Sequence, residues 1–599
     1  MPERLTRAQV PTEQTWNLTD LFESEEAWQK EMAAIEGAFP TVAQYEGKLG
    51  EGPQVFLNCL EAEEALYARF IRWATYASLR MSQEGNNPVN QGMAGQAAAL
   101  GAKLSAVTSF TETEPLRLPD GTLERYMAEE PKLQEFKKTI KDLLDKKPHV
   151  LSPETEVALA SLGEVTDAPH MIYERAKSGD MRFESVTDSE GKQHANSFAL
   201  YEDHLESSSD MTLRRNSFAA FTNGLKAYQN TFAATWGTEV KKNVAMAKLR
   251  HYSSATEMLL DRHKVPLEIY NNLLDTIQTE LAPHMRRYAR LRKKVLGMDK
   301  MLYCDIEAPL DPTYNPPATY EDVKKLILEA TSVMGPEYSK IIRTALNERW
   351  IDLADNVGKS TGAFCSSPYG AHSFILITFT NNMRSAFVLA HELGHAGHFQ
   401  LAQRYNRLSN TRPSTFFVEA PSTINELLMG NYLFAQSNDV RMRRWVAMTL
   451  LATYHHNFVR HLLEGELQRR MYDLAEKGGT ITAKSLSETK GAILQSFWGD
   501  EVEIDDGARL TWMRQPHYYM GLYPYTYSAG LTTATAVAQM IKEEGQPAVD
   551  RWLDTLKAGG TLNPLDLMKK AGVDMTTTAP IKKAVAFVGG LVDEIEKSF

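Results

Sequence analysis

A chain of 599 residues with 43% apolar and 24% charged side chains has the make-up of a folded globular protein, which argues against disorder and against a membrane-embedded class. The formal charge of −11, with lysine and arginine dispersed rather than gathered into a stripe, argues against a nucleic-acid partner. Cys59, Cys304 and Cys365 lie too far apart for a disulfide frame or a metal-ligand spacing and read as free thiols in a reducing compartment.

Met1 to Trp16 lacks the apolar stretch of a secretory leader, and no apolar run approaches the roughly 20 residues of a membrane span, so a cytoplasmic address without membrane attachment is expected. Helical signals then dominate. Trp28, Met32, Ile35 and Phe39 recur at spacings of three and four, predicting one buried helix face over 23–38, and similar patterning covers 70–81 and 218–246. Two short segments around Asp188-Ser189-Glu190-Gly191 predict a small hairpin within 181–201. The chain divides on this reading into an N-terminal helical region, 1–200, and a catalytic region, 201–599. The proline-rich stretch 309–317 is the next most boundary-like segment. Ser373 to Thr380, rich in β-branched and aromatic residues, predicts a strand just before the next helix.

That helix carries His391-Glu392-Leu393-Gly394-His395. Positions i and i+4 share one helix face, so the two imidazoles can grip one ion while Glu392 sits beside it as a general base. A metzincin would need glycine and then histidine where His398 and Leu401 stand. His398 lies one turn beyond His395, too splayed to join the same ion, and is expected to support or pack. Phe416 to Ser422 opens another helix, with Pro421 expected in its first turn. Glu419 sits in an apolar run, where an unpaired carboxylate is expensive, and is the expected third ligand; Glu426 is expected to accept from a ligand histidine's other ring nitrogen. Zinc, one per chain, suits such a set, although nitrogen and carboxylate donors also accept manganese or cobalt. Between Arg514 and Gly530 stand five tyrosines and His517, which can pack or can donate to an oxyanion, and Gly521 and Gly530 would give that segment mobility.

Together with Trp16-Asn17-Leu18-Thr19-Asp20-Leu21, Tyr76-Ala77-Ser78-Leu79 and Arg250-His251-Tyr252, the HELGH core and Val418-Glu419-Ala420-Pro421-Ser422 give a chain that resembles the M3 metallopeptidases, specifically the oligoendopeptidase F group related to thimet oligopeptidase. The resemblance implies a mostly helical, gluzincin-type clam or bowl around a deep channel, with a small β-sheet beside the metal helix and zinc held by His391, His395 and Glu419. It implies that Glu392 activates water and that His517 with Tyr527 or Tyr525 stabilises the tetrahedral intermediate. Tyr527 ranks first, Tyr525 second and Tyr523 third. It also implies that the Ser373–Thr380 strand, including Ser373 and Phe374, pairs with substrate backbone near Gly362 and Ala363. The expected activity is endopeptidase action on short unfolded peptides. A metallocarboxypeptidase is the rival enzyme and a non-catalytic zinc scaffold the rival from another class; the oligomeric state is left open between a monomer and a small homo-oligomer.

Overall fold

The computed structural model describes residues 4–599. The molecule is mostly helical, with two small sheets. The first amphipathic helix spans Glu25–Gly37: Ser24 caps it by accepting from the Ala27 N–H, and Trp28 and Ile35 are buried. The helix α1 (Pro53–Gln83) starts with proline at its first position, where no N–H is needed. Trp73 on α1 stacks on Trp28 at 4.5 Å, and each indole N–H donates to the other's carbonyl at 2.9 Å. The 218–246 pattern resolves into two helices, Met211–Ala227 and Gln229–Leu249. The predicted hairpin is present as β1 (Val186–Thr187) and β2 (Gln193–His194), with Gly191 at φ +84° in its turn.

Buried apolar side chains form two cores. One gathers residues from Trp16 to Ile140; the other begins at Tyr173 and runs to Ile595. Val186 of the hairpin belongs to the second core, and Phe374 and Leu376 to the first. The 309–317 stretch is not a boundary. It crosses the second core, with Leu310 and Ala318 buried and the Pro316 carbonyl accepting from the Met383 N–H at 2.9 Å.

The cores meet at a three-stranded sheet made of β3 (Ile351–Asp352), β4 (Phe364–Ser366) and β5 (Phe374–Leu376). The order is β3-β5-β4, with β3 parallel and β4 antiparallel to β5. Alternation along a strand sends successive side chains to opposite faces. Phe374 and Leu376 accordingly enter the first core, and Ile375 and Ile377 the second.

Five helices of the second core build the site, behind α2 (Leu267–Val295). They are α3 (Met383–Tyr405), α4 (Thr415–Gln436), α5 (Val440–Tyr454), α6 (His461–Glu476) and α7 (Pro524–Glu544). Asn382 caps α3 by accepting from the Ser385 N–H at 3.0 Å. Ser414 caps α4, which begins at Thr415, so Pro421 falls in the second turn instead of the first. The α3 and α4 backbones cross in contact: a Cβ on Gly394 would lie 2.5 Å from the Pro421 carbonyl oxygen and 2.6 Å from Ser422 Cα. Buried Asn425 locks this crossing, donating to the Ala390 carbonyl at 3.1 Å and accepting from the Tyr338 hydroxyl at 2.9 Å.

Candidate metal centre and active site

The Gly394 crossing sets Glu419 of α4 against the two histidines of α3. His391 Nε2 and His395 Nε2 each lie 3.4 Å from Glu419 Oε2, with the imidazole planes at 82°. Donor atoms of the three residues fall within 4.8 Å of one another, and no other such His/Cys/Asp/Glu group occurs among the described residues. Two ligand atoms 3.4 Å apart, each roughly 2.1 Å from a shared ion, subtend roughly 108° at it, which is the tetrahedral angle a divalent ion with nitrogen and oxygen ligands prefers. The residues fit a metal.

The surroundings are tuned to hold a cation. Burial raises the Glu419 carboxyl, but His391 and His395 more than reverse this and keep it well below the usual carboxylate range. Ser422 Oγ donates to Glu419 Oε2 at 3.0 Å. Burial alone would depress His391; Glu419 and Glu426 reverse that too. His391 Nδ1 lies 2.7 Å from Glu426 Oε1, a bond that fixes the ring and aims Nε2 at the ligand cluster. Thr453 donates to the other Glu426 oxygen at 3.4 Å.

Glu392, at 6% exposure, lies beside the cluster, and burial raises its carboxyl above the ordinary glutamate range against the opposing pull of the two imidazoles. His398 is fully buried with neither ring nitrogen partnered, and burial pushes it down to about 3, so it is neutral. It packs against Phe399 and Phe417 and takes no part in the cluster.

The tyrosine segment is half loop and half helix. Gly521, at φ +75°, lies in the loop, but Gly530 lies inside α7 and provides close packing instead of mobility: a Cβ there would meet Glu419 Cβ at 3.2 Å. Tyr527 lies one turn earlier, and its hydroxyl pKa is raised by burial first, then by Tyr523 and by Glu419. Tyr523, His517 and Tyr527 contact one another, with ring centroids 5.3 to 5.9 Å apart. Tyr525, two residues from Tyr527, points to roughly the opposite helix face. It packs edge-on against Tyr270 at 5.0 Å and is 1% exposed, which favours packing over the oxyanion role expected of it. His517 is pushed down to about 4 by burial and then by His461. Its Nδ1 lies 3.0 Å from Gln515 Oε1. With Nδ1–H donating there, the neutral ring presents Nε2 as an acceptor; turning the Gln515 amide over reverses the tautomer and makes Nε2 the donor.

The expected substrate strand is the central one of its sheet. Ser373 and Phe374 are fully buried, and both edges of β5 are taken, by β3 and by β4. The outer strands are buried β3 and half-buried β4, so the accessible edge is that of β4, which Gly362 and Ala363 immediately precede. β4 packs against α3, and burial and then the Glu392 carboxylate push its Cys365 thiol up to about 12. Nothing in the local sequence distinguishes a free strand edge from a paired one. His456 and His461, behind Tyr527, were not anticipated from the sequence either; the run Tyr454-His455-His456-Asn457-Phe458-Val459-Arg460-His461 was the available signal.

Comparison with known proteins agrees with this geometry. Peptidase family M3 matches residues 204–587, and Oligopeptidase F matches 114–183. The chain is 33% identical to Oligopeptidase PepF of Bacillus subtilis, over 99% of this chain and 88% of that protein. It is 29% identical to Group B oligopeptidase PepB of Streptococcus agalactiae, over 95% and 94%. The crystal structure of oligoendopeptidase-F from Enterococcus faecium superposes with a TM-score of 0.74 at 29% identity, covering 96% of this chain and 99% of that one. No helix among the described residues is long and apolar enough to cross a membrane. With a matching family region over most of its length and relatives that cover nearly all of it, the chain belongs to peptidase family M3 and is a metalloendopeptidase.

Proposed function

We propose that the protein hydrolyses internal bonds of short unfolded peptides in the cytoplasm, with zinc held by His391, His395 and Glu419. The observation that carries this reading is the three-donor cluster with buried Glu392 beside it: a catalytic site keeps three protein ligands and a base, whereas structural zinc usually has four ligands. When bound, such an ion supplies Lewis acidity, polarising the scissile carbonyl and lowering the pKa of a water.

The chain's own groups do the rest. Substrate backbone adds to the open edge of β4, entering past Gly362 and Ala363. Glu392 takes a proton from the attacking water and passes it to the leaving amine as the C–N bond breaks; its raised carboxyl suits both transfers. The Tyr527 hydroxyl, kept protonated by burial, donates to the developing oxyanion, and His517 Nε2 joins it when the Gln515 amide is turned. Tyr523 packs against both.

A quenched fluorescent peptide amidated at its C-terminus tests the activity. Cleavage should stop with chelator and return on adding zinc; cleavage that ignores chelator would defeat the metal role, and failure to cut the blocked peptide would favour a carboxypeptidase. Tyr527→Phe is expected to lower kcat roughly a hundredfold, in the range for one lost oxyanion donor, and Tyr525→Phe to leave kcat unchanged. Equal effects of the two in steady-state kinetics would contradict the assignment.

A further inference from the structure

The chain passes from α5 to α6 through six residues in π-helical form, His455–Arg460. Such turns are rare and recur at functional sites. On an ordinary α-helix, residues five apart stand roughly 140° from each other and do not meet. Here the wider turn brings His456 Nε2 and His461 Nε2 to 3.0 Å. Burial pushes His456 down to about 3, so its ring is neutral, and one of the two Nε2 atoms donates to the other.

His461 is 2% exposed. Its ring lies flat on that of Tyr527, 4.4 Å away at 11°, and stands edge-on to His517 at 5.1 Å and 81°. Its Nδ1 faces Glu464 at 3.8 Å, and Lys490 lies 3.9 Å beyond on the other Glu464 oxygen. Glu464 and Lys490 are both buried. His461 therefore packs against both the Tyr527 and His517 rings while its Nε2 is tied to His456.

We propose that His461 is a positioning residue: clamped by His456 across the π-turn, it fixes the Tyr527 ring by flat stacking and supports His517, so that the donor hydroxyl is already aimed when the oxyanion forms. This rests on the donor role proposed for Tyr527. A misplaced group of this kind typically costs roughly tenfold to a hundredfold in rate.

His461→Ala should accordingly lower kcat by roughly tenfold to a hundredfold with KM and metal content unchanged. His461→Phe, which restores a flat ring, should recover most of that loss, and His461→Gln, which keeps polarity without the ring, should not. In a Tyr527→Phe background His461→Ala should cost clearly less than in the parent, because the hydroxyl it aims is gone and only its support of His517 remains. An equal loss in both backgrounds, or a His461→Phe variant as poor as His461→Gln, would overturn the positioning role while leaving Tyr527 as donor. Should His461→Ala fail to fold, the Phe and Gln variants carry the same comparison. If Tyr527→Phe alone has no effect on kcat, the donor role and the positioning role fall together.

Discussion

Glu392→Gln should retain one metal ion per chain and lose roughly 10²- to 10⁴-fold in kcat, the usual contribution of a general base and equivalent to roughly 3–5 kcal/mol of barrier. The substitution preserves shape and burial but removes the only carboxylate at this site that is not committed to a ligand or to a ligand's ring. Glu419 is drawn to both imidazoles and Glu426 is bonded to His391, whereas burial raises Glu392 toward a pKa useful for accepting and returning a proton. KM should change little, since nothing proposed for Glu392 contacts the substrate before the proton moves. Metal analysis beside steady-state kinetics provides the check. A variant turning over within tenfold of the parent with full metal would remove Glu392 from the reaction.

Glu419→Ala and Glu426→Gln should separate holding the metal from orienting its ligand. Removing Glu419 leaves two imidazoles from one helix, a donor set too small to hold the ion in the presence of even a weak chelator, and activity should vanish at any metal concentration compatible with the assay. Glu426→Gln keeps all three ligands but weakens the acceptor at His391 Nδ1, so metal affinity should fall roughly 10- to 100-fold. Its activity should return when zinc is raised. Competition with a fluorescent zinc chelator measures both, and an unaltered affinity in Glu419→Ala would exclude that residue as a ligand.

What could be read in advance followed from local rules. The three-and-four spacing of Trp28, Met32 and Ile35 is sufficient for one helix, and the i, i+4 pair His391 and His395 with a carboxylate in an apolar run is sufficient to nominate a donor set, because in each case physics within two turns decides. The errors came where partners distant in sequence decide. The sequence ranks Tyr527 above Tyr525 but does not show that helix α7 begins at Pro524, which puts residues two apart on opposite faces. The Phe374–Leu376 strand is legible as a strand but its place in the sheet is not, because β3 and β4 come from other parts of the chain and occupy both its edges. Gly530 looked like a hinge and is a contact point, since only the packing of α7 on α4 shows what its missing side chain makes room for. The π-turn at 455–460 left no periodic trace, so the meeting of His456 and His461 was invisible.

The strand β5 also governs how the molecule can flex. Phe374 and Leu376 anchor in one core and Ile375 and Ile377 in the other, while its backbone is laddered on both sides. Any breathing of the two halves must therefore swing about this strand as an axle, for sliding past it would pull four side chains from their sockets. The edge of β4 proposed to receive the peptide, sewn to the axle, then keeps its place beside α3 as the halves move.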